Sequence, residues 1–139
     1  YGIAYSSFWI ATIFSDYESD VAESYILKSM DLAKQLNDSV LIGRLYNLIG
    51  RVKGYANEPD KALKYYTMAL GIFLRHGQDS LAAGAYNNIG IENQKIGNDS
   101  VAKLYLSKAI RINEETRNLF WLAVNYMNMG VRLADMGEY

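Results

Sequence analysis

Sliding the sequence on itself by 40 residues brings four columns into register without a gap. Tyr46, Tyr86 and Tyr126 form one; Gly50, Gly90 and Gly130 form a second. Ala22, Ala62 and Ala102 form a third; Tyr25, Tyr65 and Tyr105 form a fourth. Softer columns keep the same step: Ile49, Ile89 and Met129, then Met30, Leu70 and Ile110, then Leu32, Ile72 and Ile112. A fixed period of this size marks a stacked repeat architecture, in which each unit buries its apolar face only against its neighbours.

Within a unit the apolar residues follow a helical step. Leu81, Ala82, Ala85, Tyr86, Ile89 and Gly90 recur at three- and four-residue intervals, as do Val101, Ala102, Tyr105, Leu106, Ala109 and Ile110. That spacing lines one face of a helix. Breakers separate the helices at equivalent places, Asn57-Glu58-Pro59-Asp60 and Gly97-Asn98-Asp99-Ser100. Pro59 suits a first turn, where its missing N–H costs nothing. Asp99 or Ser100 is expected to cap the helix that follows. The pattern predicts an all-α chain of seven helices at roughly 3–15, 19–36, 39–55, 59–76, 79–96, 99–116 and 119–136. Connections of a few residues set neighbours antiparallel. The first helix of each pair is termed the A helix and the second the B helix.

The chain has 139 residues, enough for one domain, read as repeats at 1–38, 39–78, 79–118 and a truncated 119–139. It opens at Tyr1 rather than at a methionine, so a fragment of a longer protein is expected. The net charge of −1 and pI near 5.8 speak against a nucleic-acid surface and against an electrostatic membrane anchor. No stretch approaches the roughly 18 apolar residues of a membrane span. Cysteine is absent, which excludes disulfides, zinc thiolates and thiol nucleophiles in this segment. A soluble chain is expected, with the cytoplasm favoured, although one without cysteine can also fold in the periplasm or outside the cell.

These residues resemble the tetratricopeptide repeat. Its signature sets an aromatic, a large apolar residue and a glycine on helix A, a turn glycine, then alanine, aromatic and alanine on helix B. The third unit offers Tyr86, Ile89, Gly90, Gly97, Ala102, Leu106 and Ala109 in those places, and the second Tyr46, Ile49, Gly50, Asn57, Ala62, Tyr66 and Ala69. The fourth offers Tyr126, Met129, Gly130 and Gly137; the first is degenerate, with Ile10, Tyr17 and Ser29 at positions of the signature. The usual repeat is about 34 residues. The longer period is similar to that of kinesin light chains, of the spindle-orientation adaptor with leucine-glycine-asparagine repeats, and of bacterial Rap-type quorum regulators. Tyr86-Asn87-Asn88-Ile89-Gly90 fits the helix A of that group.

The resemblance implies a right-handed α-solenoid with a concave wall of A helices that binds an extended peptide. The stripe expected to face that groove is Arg44, Asn47, Leu48, Arg51 and Tyr55 in unit two. It continues as Asn87, Asn88, Ile91, Gln94 and Lys95, then Val124, Met127, Asn128, Val131 and Asp135; unit one supplies Ala4, Ser7, Phe8, Ala11 and Ser15. Asparagine is a poor helix-interior residue, and its amide can grip a peptide main chain. The same amides could instead be solvated, or bond between adjacent A helices. Arg44, Arg51 and Lys95 suit a carboxylate, unless neighbouring acids balance them.

The packing positions expected are Tyr46, Gly50, Ala62, Ala69, Tyr86, Gly90, Ala102, Ala109, Tyr126 and Gly130, with Trp121 also in the core. His76 has no serine or cysteine paired with it by any motif, and Asp16, Glu18, Glu114 and Glu115 read as surface acids. No catalysis, cofactor or metal is expected. The function expected is a protein- or peptide-binding scaffold. Alternatives are a regulatory segment of a larger signalling protein, and self-association through the last A helix, which would lack its partner.

Overall fold

The computed structural model describes residues 2–135, with side chains as far as Gly130. Among them are seven α-helices and no strand: α1 (Gly2–Phe14), α2 (Ser19–Gln35), α3 (Ser39–Tyr55), α4 (Pro59–Arg75), α5 (Asp79–Lys95), α6 (Asp99–Glu115) and α7 (Leu119–Asp135). The expected helices fall within one or two residues of these. The side chains of Val131, Leu133 and Asp135, and the turn at Gly137, lie outside the described residues.

One device ends most of these helices. Asn37, Asn57, Gly77, Gly97 and Arg117 all have positive φ, one every 20 residues. Each opens the turn that lets the next helix start. Around Asn37 the N–H of Asp38 bonds to the carbonyl of Ala33 at 2.9 Å and that of Asn37 to Lys34 at 3.1 Å. The same pair of bonds recurs at Asn57, Gly97 and Arg117, the arrangement that satisfies the last free carbonyls of a helix. Pro59 stands in the first turn of α4, as expected. Asn98, rather than Asp99 or Ser100, stands at the N-cap position of α6, which begins at Asp99, and its side chain makes no capping bond. Asp38 caps α3 by accepting from the N–H of Leu41 at 2.9 Å, and its other oxygen takes the Tyr5 hydroxyl of α1.

The chain divides after His76 into two units, α1–α4 and α5–α7. In the first, α3 packs against α1, α2 and α4. Gly43 faces Phe73 and Gly50 faces Tyr66, so a later residue of α3 meets an earlier one of α4 and the pair is antiparallel. A Cβ on Gly50 would lie 2.6 Å from the Tyr66 ring, closer than side-chain carbons approach. The contact exists only because the residue is glycine. Ala22, Ala62 and Ala69 are fully buried. Ser29, the degenerate small position, is also buried and donates to the Ala4 carbonyl at 2.8 Å.

In the second unit α6 packs against α5 and α7, and α7 also touches α5. A Cβ on Gly90 would meet Leu106 at 2.8 Å, so the glycine contact recurs one repeat later. Ala102 and Ala109 are fully buried. Tyr46 and Tyr86 are half-buried, each stacked on the helix-B tyrosine of its own pair: Tyr46 on Tyr65 at 6.0 Å and Tyr86 on Tyr105 at 5.9 Å. Tyr126 departs from its column. It is 51% exposed, and its hydroxyl reaches Glu114 at 2.7 Å. Trp121 is not core either, being 45% exposed. A Cβ on Gly130 would meet nothing within 4 Å. No described helix is long and apolar enough to cross a membrane.

Candidate functional site on the A helices

The stripe expected to face a groove runs along α1, α3, α5 and α7. In α1 the reading fails: Ala4, Ser7, Phe8, Ala11 and Ser15 are all buried. That face of the helix packs against α2 and α3. Leu48 is buried as well. An A helix covered on one side by a B helix and on another by the other A helix of its unit has two buried faces, and the stripe reading allowed for one.

In the first unit Arg51 of α3 reaches back to the end of α1. Its Nη2 donates to Ser15 Oγ and to Asp16 Oδ1, both at 2.7 Å. Asp16, expected as an ordinary surface acid, is therefore the partner of Arg51. Partial burial pushes the Asp16 carboxyl up, but hydrogen bonds from Arg51, Ser15 and Tyr55 and the charge of Arg51 outweigh it. The net effect holds the group below its ordinary value. Asn47 is half-buried and engaged in an interaction of its own. Arg44, two turns before Arg51, is half-buried, and its Nε meets no acceptor.

In the second unit the asparagines bond to one another. Asn87 is only 5% exposed. Its Oδ1 accepts from Asn125 Nδ2 at 2.9 Å and from Asn128 Nδ2 at 3.0 Å, so two amides of α7 converge on one oxygen of α5. Asn113 at the end of α6 extends the chain by donating to Asn125 Oδ1 at 2.6 Å. Oδ1 of Asn113 itself is buried and receives no hydrogen bond. Gln94 donates to the backbone carbonyl of Asn128 at 3.3 Å. Lys95 pairs with Glu92 at 2.7 Å, and that carboxylate is buried. Asn88 and Ile91 are half-buried, and Asn88 is engaged in an interaction of its own.

Asn87 is thus placed inside the second unit and not on an open wall. The bonds from α3 to the end of α1 cross 35 and 36 residues, and those joining α5 to α7 cross 34, 38 and 41. They tie A helices about one repeat apart. This is the alternative use of the amides, bonding between adjacent A helices. Arg51 and Lys95 are likewise balanced by acids, Asp16 and Glu92. Sequence reasoning missed Asn113 and Asn125. Their signal was a column mismatch: Phe73 and Ala33 stand in the column of Asn113, and Leu45 and Ala85 in that of Asn125. A lone amide in an apolar column points to a buried partner.

Among the described residues no three acids or histidines cluster as a metal site would. A scan against protein-family models finds no match for this chain, and no curated protein matches its sequence.

Proposed function

We propose that the chain is a non-catalytic helical-repeat scaffold of the tetratricopeptide type, with a long repeat, that binds a protein or an extended peptide on its A helices. The observation that carries this reading is the recurrence of one packing unit at 40 residues. Gly50 sits under Tyr66 and Gly90 under Leu106, with buried alanines at equivalent places of helix B. Repeats of this kind commit their chemistry to stacking and present surface for recognition. In each unit, A-helix residues keep some exposed surface for contact: the half-buried Arg44 in the first, and Ile91 with the exposed Lys95 in the second.

The test is capture from an extract of the source cells on immobilised protein, followed by mass spectrometry. The parent is compared with Arg44→Glu and with Ile91→Glu. Loss of the same captured protein in either variant, with an unchanged circular dichroism spectrum, supports the reading. Equal capture by all three proteins contradicts binding on the A helices.

A further inference from the structure

The tyrosine pairs of the two units stack alike but end differently. In the second unit Lys108 places its ammonium 5.5 Å from the Tyr86 ring centre and 5.3 Å from that of Tyr105. Three residues on, Arg111 bonds Glu115 at 3.1 Å along the same face of α6. Lys108 thus covers the rings of the α5–α6 pair, while Arg111 and Glu115 are exposed on α6. The residues 40 positions earlier are Met68, Gly71 and Arg75. Beside Tyr46 they leave a cavity of about 300 Å³ in the α3–α4 cleft, lined by Tyr46, Thr67, Met68, Gly71, Ile72 and Arg75.

Gly71 has no packing reason to be glycine. A Cβ there would meet only Arg75 Nη1, at 3.6 Å, whereas Gly43 and Gly50 would collide with rings of α4. A glycine inside a helix costs roughly 1 kcal/mol against alanine. What it secures here is open space over the helix backbone, where the second unit carries an arginine. Arg75 folds back over that space, and no carboxylate among the described residues pairs with it. The cavity therefore has aromatic and aliphatic walls and one cation at its edge.

We propose that this cavity takes the C-terminal residue of a partner chain, with an aromatic side chain against Tyr46, Met68 and Ile72 and the terminal carboxylate on Arg75. The proposal rests on the peptide-binding reading and places a second contact away from the stripe of the A helices. The cavity is at the small end of ligand pockets, which run from about 300 Å³ upward, a size for one side chain and not for a large cofactor. Arginine's planar fork matches a carboxylate, and the charge makes the bond stronger than a neutral one.

The probe is the peptide acetyl-Gly-Gly-Phe, with a free carboxylate or as its amide, titrated into isotope-labelled protein and followed by NMR. The free acid should shift the signals of Tyr46, Gly71 and Ile72. The amide should bind about tenfold more weakly or worse, the cost of losing one charged hydrogen bond. Gly71→Arg, which copies the second unit, should abolish these shifts while melting no earlier than the parent. Arg75→Gln should equalise acid and amide. The proposal is overturned if the acid leaves those signals unmoved, if the amide binds as well as the acid to the parent, or if Gly71→Arg binds like the parent. Failure here with A-helix capture intact removes the cavity alone; loss of the capture result removes the broader reading.

Discussion

Asn125 donates its side-chain amide to Oδ1 of Asn87 at 2.9 Å, joining α7 to α5 from inside the second unit. Asn128 gives a second donor to the same oxygen at 3.0 Å. Asn87→Ala would strand both donors, and leaving buried polar groups unpaired costs about 1–3 kcal/mol. Alanine's better helix propensity returns only a few tenths. Urea unfolding should therefore show a lower midpoint for Asn87→Ala. A parent-like midpoint would mean that the amides do not hold α5 and α7 together.

Two glycines of the first unit should respond oppositely to alanine. At Gly50 the new Cβ lies 2.6 Å from the Tyr66 ring, and overpacking of this kind costs about 1–3 kcal/mol. At Gly71 it meets one flexible guanidinium at 3.6 Å, so the gain in helix propensity, up to about 1 kcal/mol, should appear as added stability. Thermal melts of the two variants read the difference directly. Equal shifts of the same sign would contradict the packing described.

The Asp16–Arg51 pair predicts a small acid sensitivity. The folded carboxyl titrates below its ordinary value, so its stabilisation is present above the unfolded value and is lost as pH falls through the folded one. The window is thus below about pH 4. Both side chains are about one-third exposed, and pairs so placed contribute roughly 0–1 kcal/mol. Asp16→Asn should lower stability slightly at pH 7 and flatten this part of the pH profile. Added salt should shrink the difference. A variant as acid-sensitive as the parent between pH 4 and 2 would assign the effect to other carboxylates.

Arg117 adopts a φ of 55° where Gly77 and Gly97 stand in the same 20-residue series. A side chain with a Cβ pays about 1–2 kcal/mol for that conformation, and glycine does not. Arg117 is exposed, so Arg117→Gly should raise stability by roughly 1 kcal/mol without loss of a buried contact. Denaturant titration checks it; a lower midpoint would mean that the arginine makes a contact that outweighs the strain.

Much of the fold was legible because each turn repeats its chemistry. Asn57, Gly97 and Pro59 marked helix ends correctly, and Gly50, Gly90, Ala62 and Ala102 marked where helices A and B touch. The A-helix stripe was less legible. Helical spacing says which residues share a face, but not whether a second neighbour covers that face. Thus Phe8, Leu48 and Asn87 were read as open and are buried. Trp121 and Tyr126 erred the other way. A column carries over a residue's environment only where the neighbouring helices recur too.

The most direct test of peptide binding on the A helices is photo-crosslinking. A photoreactive amino acid is placed at Ile91 of α5 or, as a control, at Leu104 of α6, which is half exposed. Both proteins are irradiated in extract from the source cells, and adducts are identified by mass. A discrete adduct is expected from position 91 and none from position 104. An adduct from position 104 alone would place the partner on the B helices and contradict binding on the A helices.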